Sequence, residues 1–172
     1  MGWVSPSGFN DDSSTWSSES LAYDENTGTY AYTSVPKGGW SGYLGLTIDA
    51  VNCDRVQGWF NQGTANISNF ELDVYYGSAW HNIQNVEPVY GQYVELLVGS
   101  TQSVTAARFK FYSTKADSDG GQCYEFDFWE VPAGPTLDAY NKIPYTSEPP
   151  TPNAWNQIKR GAGTGWKKLL YT

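Results

Sequence analysis

Alternation of apolar and polar side chains is the dominant pattern along the chain. Phe70-Glu71-Leu72-Asp73-Val74-Tyr75-Tyr76 sets apolar residues against acids, and Ala107-Arg108-Phe109-Lys110-Phe111 sets them against bases. Tyr124-Glu125-Phe126-Asp127-Phe128-Trp129-Glu130 sets rings mostly against acids. Successive side chains of a strand point to opposite faces, so each segment predicts a strand with one face in a core. Shorter strands are predicted over Tyr30–Thr33, Tyr43–Ile48, Arg55–Phe60, Trp80–Ile83 and Tyr93–Leu97. Turn-forming clusters separate them at Pro36–Gly39, Asn61–Gly63, Tyr76–Ser78 and Asp117–Gly121. Tyr75–Trp80 has the form of a hairpin with a short Gly-containing loop. Strands about every ten residues, with no helical period between them, predict an all-β antiparallel sandwich or barrel.

The pattern changes after Val131. Pro132, Pro135, Pro144, Pro149, Pro150 and Pro152 punctuate a stretch that cannot stay regular for long. The expected organisation is a β body over residues 1–131, a Pro-rich linker over 132–152 and a C-terminal arm over 153–172. The arm mixes rings and bases at Trp155, Lys159, Arg160, Trp166, Lys167 and Lys168, which reads as a docking segment for the body, a second copy or a larger assembly. Charge divides the chain in the same way: residues 1–152 carry 6 basic and 18 acidic side chains, and residues 153–172 carry 4 basic and no acidic ones.

The net charge of −8 argues against a nucleic-acid partner and against adsorption to an anionic membrane. No apolar run is long enough to span a bilayer. The first residues, Met-Gly-Trp-Val-Ser-Pro, lack the basic and apolar regions of a signal peptide. An extracellular or virion-surface location by another route, such as release on lysis, is the expectation. Cys53 and Cys123 match no zinc spacing and are either two buried thiols or one disulfide. His81 is the single histidine, and nothing in the sequence places a nucleophile beside it, so no catalytic triad is read and a non-catalytic protein is expected.

The densest chemical signal is Leu21–Tyr30, where Asp24, Asn26 and Thr29 offer hard oxygen donors and Gly28 permits tight curvature. A solvated acidic turn explains this segment equally well by itself. However, Ala22-Tyr23-Asp24-Glu25-Asn26-Thr27-Gly28-Thr29 resembles the A-x-D-G-[DN]-x-x-T signature of discoidin (F5/8 type C) domains and related carbohydrate-binding modules. In the same order, Tyr43–Thr47, Arg55–Phe60, Asp73–Ile83, Ala107–Phe111 and Tyr124–Trp129 resemble the later strands of that family. The resemblance covers about Trp3 to Val131. It implies a galactose-binding-like jelly-roll β-sandwich, here with an extended C-terminal arm. It also implies a structural Ca2+ held by the Ala22 carbonyl, Asp24, Asn26, Thr29 and Glu125. Glu25 departs from the signature, which has Gly there, and a positive φ at that position would strain it.

The resemblance further implies a glycan or cell-surface ligand bound through loops. Aromatic platforms for a sugar are expected from Phe9, Trp16, Trp40 and Tyr112, with Asn61 among the polar partners. Trp16 could instead pack under the metal loop, and Trp40 could cover one end of the core. Trp80 is read as structural, and Trp59 and Trp129 as outward-facing rings covered by loops or by the arm. Two functions follow: a glycan-recognition module carried on a larger assembly, or a structural virion subunit docked through its arm. Trp3–Ala31 also looks like modules appended to phage tail and capsid proteins.

Overall fold

The computed structural model describes residues 2–63, 67–114 and 119–132, together with two short strands near the C-terminus. In the body these are β1 (Gly2–Val4), β2 (Gly8–Asn10), β3 (Trp16–Ser17), a 3-10 turn (Glu19–Ala22), β4 (Ala31–Val35) and β5 (Gly39–Trp40), followed by β6 (Leu44–Gln62), β7 (Ile67–Tyr76), β8 (Ala79–Asn85), β9 (Tyr93–Ser113) and β10 (Asp119–Glu130). All paired strands are antiparallel.

The two long strands, β6 and β9, form the spine. They pair over Leu44–Thr47 with Ala106–Phe109, and again over Arg55–Trp59 with Tyr93–Leu97. Register shifts interrupt the ladder between Thr47 and Val51 and between Cys53 and Arg55. Such irregularities let a strand bend out of one sheet and into another. The first half of β6 and the second half of β9 therefore join β7, β8, β2 and β5 in one layer. Their other halves join β10, β4, β3 and β1 in the second. Four of the strands predicted from the sequence are thus the ends of two bent strands.

The core between the layers is aromatic. Phe60, Phe70, Phe109, Phe111, Phe126 and Phe128 are fully buried. Phe60 and Phe70 lie 4.6 Å apart, and Phe109 stacks on Phe126 across the core at 6.0 Å. Burying each ring stabilises the fold by about 1.5–3 kcal/mol. Cys53 and Cys123 are both buried free thiols. The β7–β8 hairpin turns on Gly77 and Ser78, both at positive φ (56° and 66°), the geometry that matches the twist of a two-residue hairpin. The glycines at 120 and 121, expected in a turn, instead pair within β10. A Cβ on Gly121 would sit 2.1 Å from the Phe111 ring. Of the outward rings, Trp129 is covered by Trp3 of β1, 5.0 Å away, and Trp59 packs on Tyr93 at 5.3 Å.

The chain divides into two units, residues 1–134 and 135–172. In the second, β11 (Gln157–Lys159) pairs with β12 (Trp166–Lys168) in antiparallel register, with Lys159 paired to Trp166 and Ile158 to Lys167 along the backbone. The sequence reads residues 153–172 as one docking segment without regular structure, and the backbone forms one short ladder within it. Trp155, Arg160 and nearly all of the Pro-rich linker lie outside the described residues.

Candidate functional site

Alternation in β9 sends Phe109 and Phe111 inward and Arg108 and Lys110 outward, where β7 presents Asp73 and Glu71 directly opposite them. The four form two cross-strand ion pairs: Arg108 Nε donates to Asp73 Oδ2 at 2.8 Å, and Lys110 Nζ lies 3.1 Å from Glu71 Oε1. Asp73 is buried, and its second oxygen accepts from Asn82 Nδ2 at 2.9 Å.

Three rings interleave with these cations. The Arg108 guanidinium lies 4.1 Å from the Tyr43 ring centroid and 4.4 Å from that of Trp80. The Lys110 ammonium lies 4.3 Å from the centroid of Tyr43 and 4.7 Å from that of Trp40. Contacts of this kind contribute about 0.5–2 kcal/mol each. Tyr43 donates a short hydrogen bond to Glu71. Its hydroxyl is pushed above the ordinary range by burial and by that carboxylate. Burial would lower the Lys110 ammonium, but the hydrogen bonds it donates to Tyr43 and Glu71, and their charges, raise it overall, so it stays a cation.

This outer face floors a cavity of about 520 Å³. Trp40, Tyr43 and Trp80 supply its rings, and Asn10 at the end of β2 with Asp12 and Ser13 of the following loop supply its polar rim. Asp11 shapes that rim by accepting from the Trp16 backbone N–H (2.9 Å) and from the Ser13 hydroxyl (2.8 Å). Gly42 lets the loop close in, since a Cβ there would lie 1.8 Å from Ser13 Oγ. The arrangement offers flat apolar faces beside fixed donors and acceptors, the two features a sugar needs.

The structure separates the residues expected at this site. Trp40 lines the cavity, and Tyr112 packs against it from the next strand at 5.2 Å. Trp16 does not present a platform. It is buried, it meets Phe109 edge-on at 5.5 Å, and its Nε1 donates to the Gly42 carbonyl at 3.0 Å, which makes it a core residue. Phe9 is 47% exposed on β2 outside the cavity lining, and Asn61 spends its side-chain oxygen on the Gln62 backbone N–H. Trp80, read from the sequence as structural, forms a cavity wall. Arg108, Lys110 and Tyr43 also line the cavity, and the sequence reading did not single them out. The available signal was the pair of bases alternating with rings in Ala107–Phe111, which reads equally well as a solvated strand face.

The acidic loop forms a second centre. Asp24 accepts from Thr29 Oγ1 at 2.8 Å and from the Asn26 backbone N–H at 3.1 Å, and the Thr29 hydroxyl also reaches the Asn26 carbonyl at 2.9 Å. Asn26 Oδ1 accepts from the Gly28 N–H. Glu125 of β10 reaches the loop as its place on the outward face requires, accepting from the same Asn26 N–H at 2.6 Å. Its carboxyl is 1% exposed and is raised from 4.5 to about 7, first by burial, with the Asp24 and Asp127 carboxylates adding to the rise. The loop and the closing strand therefore bring two carboxylates together with the Asn26 and Thr29 oxygens, and Ala22 ends the 3-10 turn just before them. Glu25 stands at φ 61°, the left-handed conformation for which the signature has Gly, at a cost of about 1 kcal/mol or more. Among the described residues no three His, Cys, Asp or Glu side chains cluster as a metal set, so a cation here would rely on neutral oxygens as well.

No protein-family model and no curated protein sequence matches the chain. Solved structures do. A fucose-binding module from Streptococcus pneumoniae superposes with a TM-score of 0.56 at 10% identity, over 77% of this chain and all of that one. The C-terminal domain of a chitobiase from Bacteroides fragilis gives a TM-score of 0.56 at 14% identity, over 76% of this chain and 98% of that one. Chitosan-binding module 1 of a chitosanase/glucanase from Paenibacillus sp. IK-5 gives 0.52 at 14%, over 71% and 93%. The body is thus an antiparallel β-sandwich with the fold of discoidin-like carbohydrate-binding modules.

Proposed function

We propose that the protein is a non-catalytic glycan-binding module, carried on a larger extracellular or virion assembly, and that it binds sugar in the cavity between Trp40, Tyr43 and Trp80. The observation that carries this reading is the interleaving of those rings with Arg108 and Lys110 on a cross-braced sheet face. Aromatic faces take the C–H faces of a pyranose, while Asn10, Asp12 and Ser13 take its hydroxyls. The fucose- and chitosan-binding functions named for proteins of this fold support a saccharide ligand. The test is titration of the full chain with a saccharide panel, followed by intrinsic tryptophan fluorescence. Trp40→Ala and Trp80→Ala should each weaken the responding sugar about fivefold or more. If no saccharide responds, or if both variants bind as the parent does, the reading fails.

The same reading gives the acidic loop a structural Ca2+. Asp24, Asn26, Thr29, the Ala22 carbonyl and Glu125 would hold it, and calcium accepts this mixture of carboxylate, amide, hydroxyl and carbonyl oxygens. The supporting observation is Glu125, buried and in hydrogen-bond contact with Asp24, with neither carboxylate in an ion pair among the described residues. When bound, the ion would neutralise both and fasten the loop to β10.

A further inference from the structure

We infer that the cavity selects a saccharide bearing a carboxylate, such as a uronic acid, with the carboxylate seated on the edge of the Arg108 guanidinium. The inference rests on the glycan-binding reading above and names its ligand class. Arg108 is fixed at three points. Asp73 holds its Nε, and Tyr43 and Trp80 pack against the guanidinium. Its two Nη amino groups form no hydrogen bond with any described residue, although the side chain lines the cavity. A guanidinium held in this way presents two parallel N–H donors, whose spacing matches the two oxygens of a carboxylate. Because packing has already fixed the side chain, little rotamer entropy is lost on binding.

The few cations of the body are placed unevenly. Lys37, Arg55, Arg108 and Lys110 are the cationic side chains among the described residues of an acidic body, and two of the four line this one cavity. Each of these two is paired with an acid of β7, Asp73 or Glu71, so the open edge of the Arg108 guanidinium, and not a net positive charge, selects the carboxylate. Asp12 also lines the cavity and accepts from hydroxyls, so the ligand is oriented with its carboxylate toward Arg108. The acidity of the rest of the body disfavours a long polyanion, which makes short oligosaccharides or chain ends the fitting form.

The test compares oligosaccharides of galacturonate, mannuronate and glucuronate with their carboxyl-reduced counterparts, in which each carboxylate becomes a hydroxymethyl group. Binding to the full chain is measured by calorimetry. At least one uronate should bind about tenfold more tightly than its reduced partner, a difference of about 1.4 kcal/mol. Arg108→Lys keeps the charge and removes the paired donors, so it should erase that difference. Carboxyl reduction perturbs the ligand alone, so the comparison stands even if the variant folds poorly. Equal binding of a uronate and its reduced partner, still weakened by Trp80→Ala, overturns the carboxylate inference and leaves the glycan reading intact. If neither member of any pair binds, and neutral saccharides are also silent, both fail.

Discussion

Replacing Glu125 by Gln in metal-free protein should stabilise it at pH 8, although the residue is buried and hydrogen-bonded. In the folded protein this carboxyl titrates near 7 instead of 4.5, because burial and the Asp24 and Asp127 carboxylates oppose its charge. A folded-state value above the unfolded one contributes stability that is complete below about pH 4.5 and is lost as pH rises through about 7. At about 1.4 kcal/mol per pH unit, the ionised carboxylate is carried above pH 7 at a cost of about 3 kcal/mol. Gln is never charged, and its oxygen can still accept from the Asn26 N–H, so no buried donor is stranded. In chelator at pH 8 the variant should melt about 10 °C above the parent, and at pH 5 the two should nearly coincide. With excess Ca2+ the parent should gain midpoint and the variant should not, because a ligand that binds only the folded state stabilises by mass action. If the variant melts lower than the parent in chelator at pH 8, the charge on Glu125 is not the burden supposed here. If calcium raises both proteins equally, the ion is not held at Glu125.

Other consequences can be checked by chemical denaturation. Glu25→Gly relieves a left-handed non-glycine residue and should stabilise the protein by about 0.5 kcal/mol or more, net of the added freedom of the unfolded chain. Trp16→Phe keeps the ring against Phe109 and deletes the bond to the Gly42 carbonyl, so it should cost about 1 kcal/mol and leave saccharide affinity unchanged. Phe109→Ala opens a void at the meeting point of Phe60, Phe70 and Phe126 and should cost about 3–5 kcal/mol.

The strands of the sandwich were legible because period-2 alternation is a local signal, and each strongly alternating segment is a strand. The merging of four predicted segments into β6 and β9 was not legible. The bends fall in stretches such as Asp49–Asp54, whose polar residues read as loops but are held by neighbouring strands. Gly120 and Gly121 misled for a related reason: glycine marks turns in sequence, whereas here bulky rings press on the strand and leave no room for a Cβ. The acidic loop was legible as a motif, and its meeting with Glu125, 99 residues away, follows the order of the resemblance. The cavity was not legible, because Trp40, Tyr43, Trp80 and Arg108 lie on four different segments and only the layer topology brings them together.

Site and core are tied by the same alternation. Over Ala107–Phe111 of β9, core residues alternate with residues that line the cavity, so Ala107, Phe109 and Phe111 fix the positions of Arg108 and Lys110. A slip of one residue would bury both cations and expose both rings, which is why the register is strongly specified. The opposing acids of β7 reinforce it. Asp73 and Glu71 can neutralise Arg108 and Lys110 only in the observed register, and buried or half-buried partners left unpaired would cost several kcal/mol. The ion pairs beneath the cavity thus fix the fold as well as the cavity floor. Asp73 fixes the register through Arg108 Nε and leaves the two Nη groups open toward the cavity.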